Sequence, residues 1–417
     1  MQLFCIRLMT IGLTFAMCLL LCANAAPLFA QAKDTTLTAQ KQEIKVETPK
    51  NHWYEKIQFR GYGQIRYNRL LETNEKLKCD QCDKSWGENG GFFIRRLRTI
   101  FQGDVHERVY IYLQADWASD NKNLLQIRDA YFDLALDKNK EYRFRIGQSK
   151  VPYGFENMQS SQNRLALDRS DPMNSAVANE RDLGVFFYCA PKYVRERFKN
   201  LVADGLKGSG DYGMLGVGAY NGQIANAVEA NNTPHTVIHA SYPFRFTNGQ
   251  YLEGSLHAYT GMFVTTKTAT LNKTKTPTDL NFSDKRAAAS LILYPQPFGL
   301  QMEYNIGEGP EFDTETMTTV VKPLKGGYVQ AMYMQKIGKH IIIPFVRYQT
   351  YEGGKKQEID ATHQRTDELE IGAEWQPHKN FELVAQYTIS NRTFENASKP
   401  LNAQSGNLLR IQAQVNF

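Results

Sequence analysis

The sequence predicts an all-β protein, a transmembrane antiparallel up-and-down β-barrel for which sixteen strands is the expected number. Three observations predict it. Apolar and polar residues alternate with a period of two through many segments, the chain ends on such a segment, and short connections alternate with long ones. Alternation at this period lets each strand show one face to lipid and the other to a polar interior.

The N-terminal residues predict export from the cytoplasm. Arg7 precedes an apolar run over 8–22, which is too short to span a bilayer comfortably and is followed by small residues. We expect a signal peptide over 1–25, and cleavage that removes 1–32 also fits the small-x-small rule. A lipoprotein processed at Cys22 is a weaker alternative, because the bulky Leu21 stands where a small residue is expected.

The mature chain is expected to hold one folded unit. Residues 33–54, rich in Lys, Gln, Glu and Thr, predict a periplasmic lead-in, and residues 55–417 predict the barrel. No further run of about 18 apolar residues recurs, so no transmembrane helix is expected. The export signal and the predicted barrel together predict a location in the bacterial outer membrane, in contact with its lipid.

The last nine residues carry the clearest alternation. A strand that ends on a terminal Phe is typical of bacterial outer-membrane barrels. The apolar positions are Leu409, Ile411, Ala413, Val415 and Phe417, and the polar positions between them are Arg410, Gln412, Gln414 and Asn416.

The same alternation recurs in sixteen segments, and this even number returns the chain to the side on which it started. The predicted strands are 57–69, 93–105, 109–118, 125–136, 141–148, 184–190, 212–221, 235–245, 251–263, 285–294, 299–306, 327–336, 340–350, 366–376, 381–390 and 407–417.

The connections support this topology, because such barrels have short periplasmic turns and longer external loops. The long segments 70–92, 149–183, 264–284, 307–326, 351–365 and 391–406 all fall on the external side. One connection, 191–211, is long where a short turn is expected. We therefore expect strand six to run on to about Leu206.

Cofactors and nucleic acid are not expected. Cys79 and Cys82 form a single C-x-x-C on a predicted loop, which supplies too few ligands for structural zinc and favours a local disulfide. His235 and His239 share a strand face, but no third metal ligand is evident. The net charge of +6 includes no basic block interleaved with aromatic residues.

Four short motifs follow one another along the chain. They are Gly91-Phe92-Phe93-Ile94-Arg95-Arg96-Leu97-Arg98, Arg145-Ile146-Gly147-Gln148-Ser149-Lys150-Val151-Pro152-Tyr153-Gly154, Glu180-Arg181-Asp182-Leu183-Gly184-Val185 and Gly218-Ala219-Tyr220-Asn221-Gly222. In this order they resemble the phosphate-selective porins of the O and P type, and the similarity covers most of residues 55–417.

This resemblance implies a homotrimer of sixteen-stranded barrels that gives passive diffusion to small hydrophilic solutes, with anions preferred. It implies a third external loop, here 149–183, folded into the lumen to form an Arg- and Lys-lined constriction. On this basis Lys150, Arg164, Arg169 and Arg181 are expected to face the pore, with Arg96 projecting toward them from the wall.

Strand parity adds further inward-facing charges. The inward-pointing positions are Arg60, Arg66, Arg98, Arg143 and Arg145. Arg95 has lipid-side parity, but it lies near the external rim, where its long side chain can reach the headgroups or a bulge can turn it. Later strands place an opposing acidic wall in the lumen, formed by Glu303, Glu368, Glu370, Glu374 and Glu382.

Fixed guanidinium groups in a narrow channel attract anions, and several weak sites in series let them leave again. Because positive and negative walls face each other in this prediction, a general diffusion pore and a phosphate or polyphosphate channel both remain open. The alternative for each inward cation is that it only pairs with an acid to hold the structure.

Two other classes of function occur on barrels of this kind. A barrel enzyme needs a nucleophile with a base, and the sequence contains no G-x-S-x-G or comparable Ser/His grouping, so no enzyme is expected. A surface adhesin or receptor that uses its long loops is compatible with the same barrel.

Overall fold

The computed structural model describes residues 52–73, 90–119, 124–265, 280–398 and 402–417. The chain divides into two units, 1–56 and 57–417. Of the first, only a single 3-10 turn, Trp53–Lys56, is described as an element. The predicted signal peptide, the Cys22 alternative and nearly all of the predicted lead-in lie outside the described residues, as do Cys79 and Cys82.

The second unit is a closed antiparallel barrel. Its strands within the described residues are β1 (Gln58–Thr73), β2 (Gly91–His106), β3 (Val109–Ser119), β4 (Leu124–Ala135), β5 (Tyr142–Lys150), β6 (Arg181–Cys189), β7 (Leu215–Tyr220), β8 (His235–Arg245), β9 (Tyr251–Val264), β10 (Asn281–Leu293), β11 (Phe298–Asp313), β12 (Thr318–Tyr333, continued by Gln335–Ile337), β13 (His340–Gly354), β14 (His363–His378), β15 (Phe381–Glu395) and β16 (Ala403–Asn416). Each strand pairs with its neighbours in sequence, and β1 pairs with both β2 and β16. The predicted fold and strand number are confirmed.

Three helices interrupt the strand order in the described part of the chain. They are α1 (Phe155–Met158) and α2 (Asp171–Ala176) between β5 and β6, and α3 (Lys192–Ala203) between β6 and β7. A 3-10 turn, Ile359–Ala361, lies between β13 and β14. None of the described helices is long and apolar enough to cross a bilayer.

The terminal Phe417 takes part in closing the barrel. The backbone N–H of Gly61 on β1 donates to the backbone oxygen of Phe417, with nitrogen and oxygen 2.8 Å apart. The N–H of Phe417 donates to the backbone oxygen of Gly61, with nitrogen and oxygen 3.0 Å apart. A Cβ atom at Gly61 would lie only 2.6 Å from Cζ of the Phe417 ring, so the glycine makes room for the ring over β1. The seam between the two ends of the sheet therefore depends on a glycine and an aromatic residue together.

Burial follows the predicted alternation. On β16, Arg410, Gln412 and Gln414 are at most 5% exposed, whereas Ile411 and Val415 are 38% and 49% exposed. This inversion, with polar side chains inside and apolar side chains outside, is expected when the outer face meets lipid.

A β-bulge explains the position of Arg95. The register of β1 and β2 shifts so that Gln64 pairs with Arg96 and Ile65 pairs with Ile94, which leaves Arg95 as the extra residue. Its guanidinium lies 3.4 Å from the carboxylate of Asp168. Of the options considered from the sequence, the bulge is the one confirmed.

Two predicted connections were wrong. The segment 307–326 was expected to be a long external loop, but β11 and β12 pair continuously up to Asp313 and Thr318. Backbone pairing extends this hairpin beyond the region of clear apolar alternation, so the alternation alone underestimated its length.

The predicted extension of β6 to about Leu206 was also wrong, because residues 192–203 form α3. Val194, Phe198 and Leu201 are buried at a spacing typical of one helix face. The helix ends in a Schellman motif, in which Gly205 has φ +71° and the N–H of Leu206 donates to the carbonyl oxygen of Leu201 at 3.1 Å.

Candidate functional site

The segment 151–180, called the third loop below, contacts inward-facing side chains of several strands. Ser161 lies 2.7 Å from the hydroxyl of Tyr62 on β1. The backbone N–H of Leu167 donates to Gln386 on β15 at 2.9 Å, and that of Asp171 donates to Gln349 on β13 at 2.8 Å. The loop is thus tied to buried polar positions on widely separated strands.

One member of the predicted acidic wall holds the first helix of this loop. The carboxylate of Glu303 accepts hydrogen bonds from the backbone N–H groups of Phe155 and Glu156, at 2.6 and 3.2 Å. These N–H groups have no partner within α1, and a carboxylate at a helix N-terminus is favourable. The Glu156 side chain in turn forms an ion pair with Arg347 of β13 at 2.8 Å.

Cationic side chains on the strands, or directly after one, hold the middle of the loop through two carboxylates. Arg66 and Arg410 both form ion pairs with Asp168, and Lys355 forms one with Asp171 at 2.6 Å. Burial would raise the pKa of Asp168, but the surrounding guanidinium groups, those of Arg66 and Arg410 first, hold it well below its ordinary value. Burial would also raise the pKa of Asp171, but the neighbouring Arg392 and Lys355 lower it to about 2.

Four of the predicted constriction cations converge on one carboxylate. Arg164, Arg169 and Lys150 lie 3.1–3.2 Å from Glu180, and Arg181 lies at 2.5 Å. All five side chains are largely buried. Burial alone would raise the pKa of Glu180, and the cations, Lys150 and Arg169 foremost, hold it well below its ordinary value. This group is called the Glu180 cluster below.

The remaining predicted cations are distributed along β1 to β5. Three have carboxylate partners: Arg98 with Asp116 at 2.8 Å, Arg145 with Asp133 at 2.8 Å and Arg143 with Asp211 at 2.9 Å. Arg96 donates to the amide oxygen of Gln64 at 2.8 Å, and its buried Nε has no hydrogen-bond partner in the described chain. Arg60 donates to Gln102 at 3.3 Å.

The other predicted acidic residues also contact neighbouring groups. Glu368 pairs with Arg392 at 2.5 Å, and Glu370 pairs with Arg347 and, at 3.1 Å, with Arg410. Glu374 pairs at 2.5 Å with Lys207, which follows α3. Glu382 accepts a hydrogen bond from Asn416 at 3.0 Å. Most of this acidic wall is therefore occupied by arginines, by the third loop or by the segment around α3.

The segment 190–214, called the helical turn below, enters an apolar cluster with the third loop and strand side chains. From the helical turn come Ala190, Val194, Phe198, Leu201 and Leu206, and from the third loop come Phe155, Leu165, Ala166 and Leu167. The strands contribute Tyr251, Ile292, Met332, Ile343, Phe345 and Val384, and Tyr294 and Met334 directly follow strand residues of β10 and β12. These inward positions lie on β9 to β15, so an apolar core fills part of that side of the barrel.

A cavity of about 400 Å³ remains beside β1 to β5. It is lined by strand residues, by the third loop and by the helical turn. Its lining side chains include Arg60, Gln102, Tyr112, Gln114, Asp129, Tyr131, Arg145, Lys150 and Arg181 from the strands, Met158, Ser160, Gln162 and Asn163 from the third loop, and Lys199, Val202, Asp211 and Tyr212 from the helical turn.

Sequence reasoning missed several of these lining residues. Tyr112 has the correct parity in the predicted strand 109–118 but was not assigned to the site, because only charged residues were considered. Lys199 and Tyr212 were missed because the helical turn was taken for strand. A sequence signal existed, since Pro191 precedes an apolar pattern with helical spacing and Gly205 follows it.

The histidines are paired differently from the arrangement considered above. His239 Nδ1 lies 3.0 Å from Nδ1 of His257, and His235 lies 3.5 Å from Asp284. Among the described residues there is no group of three or more His, Cys, Asp or Glu side chains that could hold a metal ion.

Comparison with known proteins agrees with this architecture. The model of one family, phosphate-selective porin O and P, matches residues 77–417. No curated protein sequence matches. Among solved structures, the chain is similar to the outer membrane channel DcaP of Acinetobacter baumannii, with 13% identity, a TM-score of 0.52 and coverage of 87% of this chain and 97% of that one.

Two further structures share the fold at similar distance. OmpT of Vibrio cholerae in its trimer form is 10% identical, with a TM-score of 0.51 over 87% of this chain and 99% of that one. OmpF of Salmonella typhi, in complex with daunomycin, is 11% identical, with a TM-score of 0.52 over 88% and 98%. With a family model that covers most of its length and a closed sixteen-stranded barrel, the chain belongs to the phosphate-selective porin O and P family.

Proposed function

We propose that this protein is an outer-membrane porin that passes small hydrophilic anions through the cavity beside β1 to β5. The observation that carries the proposal is the charge of that cavity. Arg60 and Lys199 line it, and neither forms an ion pair with any described residue. The opposite side of the interior is occupied by the apolar cluster, so the cavity is the path that favours charged solutes.

The electrostatic balance favours anions over cations. The cavity is lined by five cationic side chains, Arg60, Arg145, Lys150, Arg181 and Lys199, and by two carboxylates, Asp129 and Asp211. A unit charge about 4 Å from another gains roughly 1 kcal/mol in water and roughly 4 kcal/mol at an effective dielectric constant of about 20. Two cations without carboxylate partners are therefore enough to bias the permeating ion.

The third loop and the helical turn narrow the barrel in this proposal. Both segments reach the cavity, and the contacts of Asp168, Asp171 and Glu180 hold the loop in place. We also propose that the barrels form a homotrimer in the lipid of the outer membrane. The family resemblance and the trimer form of OmpT support this assembly.

Reversal potentials test the anion preference. In a potassium chloride gradient across a planar bilayer, the unmodified protein is expected to show a potential that favours chloride. The double variant Arg60→Glu with Lys199→Glu reverses the sign of the cavity charge at both positions, so its potential should shift toward potassium.

Arg365→Glu is the matched control, because this arginine side chain is 67% exposed on the outside of β14. It makes the same change in charge as either single substitution, Arg60→Glu or Lys199→Glu, and should leave the reversal potential unchanged. An equal potential in the double variant and the unmodified protein would reject the cavity as the selective path.

Phosphate is a second candidate solute, favoured by the family and by one buried group. Arg96 has a Nε without a hydrogen-bond partner in the described chain and forms no ion pair there. A guanidinium in this state can donate to a phosphate oxygen. Millimolar phosphate is then expected to block the chloride current, and Arg96→Gln should raise the blocking concentration. If millimolar phosphate did not reduce the chloride current, phosphate would be rejected as a bound solute and the general anion pore would remain as the proposed function.

A further inference from the structure

Two tyrosines stand side by side along the cavity wall. Tyr112 of β3 pairs with Tyr131 of β4 in the strand register, and their ring centroids are 5.2 Å apart with planes only 10° from parallel. Adjacent strands lie about 4.8 Å apart, so rings stacked at this distance stand upright on the sheet. Both residues line the cavity. Because the stacked rings stand on the inward face of the sheet, their outer edges, which carry the hydroxyl groups, lie toward the interior.

Polar and cationic groups extend this row on both sides. Gln102 of β2 lies opposite Tyr112 in the register and accepts a hydrogen bond from Arg60 of β1 at 3.3 Å. On the other side, the Arg145 guanidinium lies 4.0 Å from the centroid of the Tyr131 ring. The row from β5 to β1 therefore reads guanidinium, ring, ring, amide, guanidinium.

Only one end of the row carries a guanidinium without a carboxylate partner among the described residues. Arg145 is bound in parallel by the two carboxylate oxygens of Asp133, at 2.8 and 2.9 Å. Arg60 has no such partner in the described chain, and neither has Lys199, which lines the same cavity from α3. An anionic group entering the cavity is thus drawn toward Arg60 and Lys199, beside the tyrosine edges.

From this arrangement we propose that the cavity is a binding subsite for organic anions that carry a flat ring, such as aromatic carboxylates. This inference rests on the proposed channel function and specifies its solute class. The carboxylate contacts Arg60 or Lys199, and the face of the solute ring lies against the edges of Tyr112 and Tyr131. Edge-to-face contact is a preferred geometry for aromatic pairs, because the ring edge is positive and the ring face is negative.

Size supports the same solute class. A volume of about 400 Å³ falls within the range of sites that enclose small organic molecules, about 300–1,000 Å³. A small inorganic anion can contact the cations but leaves the tyrosine edges without a partner. The tyrosine pair therefore distinguishes solutes of equal charge by the presence of a ring.

Block of the potassium chloride current by benzoate and by acetate tests this inference in planar bilayers. The two probes have the same charge and differ in the ring. In the unmodified protein, benzoate should half-block the current at a concentration about tenfold lower than acetate, as one aromatic contact can provide. In Tyr112→Leu with Tyr131→Leu this ratio should fall to about two or less, because the ring edges are gone.

Two further variants separate ring contact from other effects. Tyr112→Phe with Tyr131→Phe keeps the ring edges and should keep most of the benzoate preference. Tyr348→Leu removes a tyrosine that is 50% exposed on the lipid side of β13, and the ratio should not change. Retained preference in the double leucine variant would overturn the assignment to Tyr112 and Tyr131.

The reversal potential recorded in the same bilayers distinguishes the two proposals. Equal block by benzoate and acetate in a chloride-preferring channel overturns the solute class and leaves the anion pore intact. A cation-preferring or non-conducting barrel overturns the pore itself, and the solute class with it.

Discussion

Replacing Glu180 with glutamine is expected to lower the free energy of unfolding by about 3–5 kcal/mol, the cost of removing one partner of a buried ion pair. Lys150, Arg164 and Arg169 lose the carboxylate that they share, and Arg181 keeps the carboxylate of Asp129. The change in size is small, so the loss comes from buried cations left without a counter-charge. Denaturation in urea, followed by circular dichroism in detergent, measures the change.

Glu352→Gln is the matched control for this substitution. Its carboxylate forms an ion pair with Lys325 at 3.7 Å, and both side chains are more than half exposed. An exposed pair contributes about 0–1 kcal/mol, so this variant should unfold almost like the unmodified protein. If Glu180→Gln were no more destabilised than Glu352→Gln, the Glu180 cluster would not hold the third loop.

The three carboxylates that hold the third loop give their contribution to the pH dependence a definite sign. The pKa values of Asp168, Asp171 and Glu180 are lowered in the folded protein, so their contribution to stability is fully present above their unfolded values of about 4. This contribution is lost as the pH falls from about 4 through the folded values. The contribution of these three carboxylates therefore declines in acid rather than between pH 5 and 7, and Glu180→Gln should remove part of that acid dependence.

Replacing residues 192–210 with a short Gly-Ser turn is expected to raise the single-channel conductance by roughly twofold or more, since the narrowest passage sets the current. The deletion removes Lys199 and Val202 from the cavity lining and takes Phe198 out of the apolar cluster. Inward faces of β9 to β15 then become accessible to water. Conductance steps of the purified protein in a planar bilayer measure the effect.

A Gly-Ser exchange of residues 314–317 is the control for this deletion. That segment joins β11 and β12, and residues 314–317 are exposed. Its exchange should leave the conductance unchanged. A deleted helical turn with unaltered conductance would show that ions pass elsewhere, and it would contradict the path proposed here.

The barrel could be predicted from sequence because lipid imposes a two-residue period. Ile411 and Val415 on the outside, and Arg410 and Gln412 on the inside, follow directly from their positions relative to Phe417. The family resemblance, carried by four motifs, was likewise confirmed by the family match. Strand ends were less accurate, because backbone pairing continues beyond the bilayer, where alternation is no longer required.

The contents of the barrel were harder to predict. Parity shows that Arg66, Arg143 and Glu303 point inward, but it does not show which group each of them meets. Those partners are supplied by the third loop and the helical turn, over long separations in sequence. The helical turn was missed although its apolar residues have helical spacing, because a strand was expected at that place in the alternating order.

The third loop and the helical turn meet inside the barrel. The side-chain amide of Gln159 donates to the backbone oxygen of Lys207 at 2.6 Å, and Phe155 shares the apolar cluster with Phe198. These segments enter from the two different ends of β6. Because they pack against each other inside a wall that β1 and β16 close, neither segment can be exchanged between related barrels as an independent module without disturbing the other.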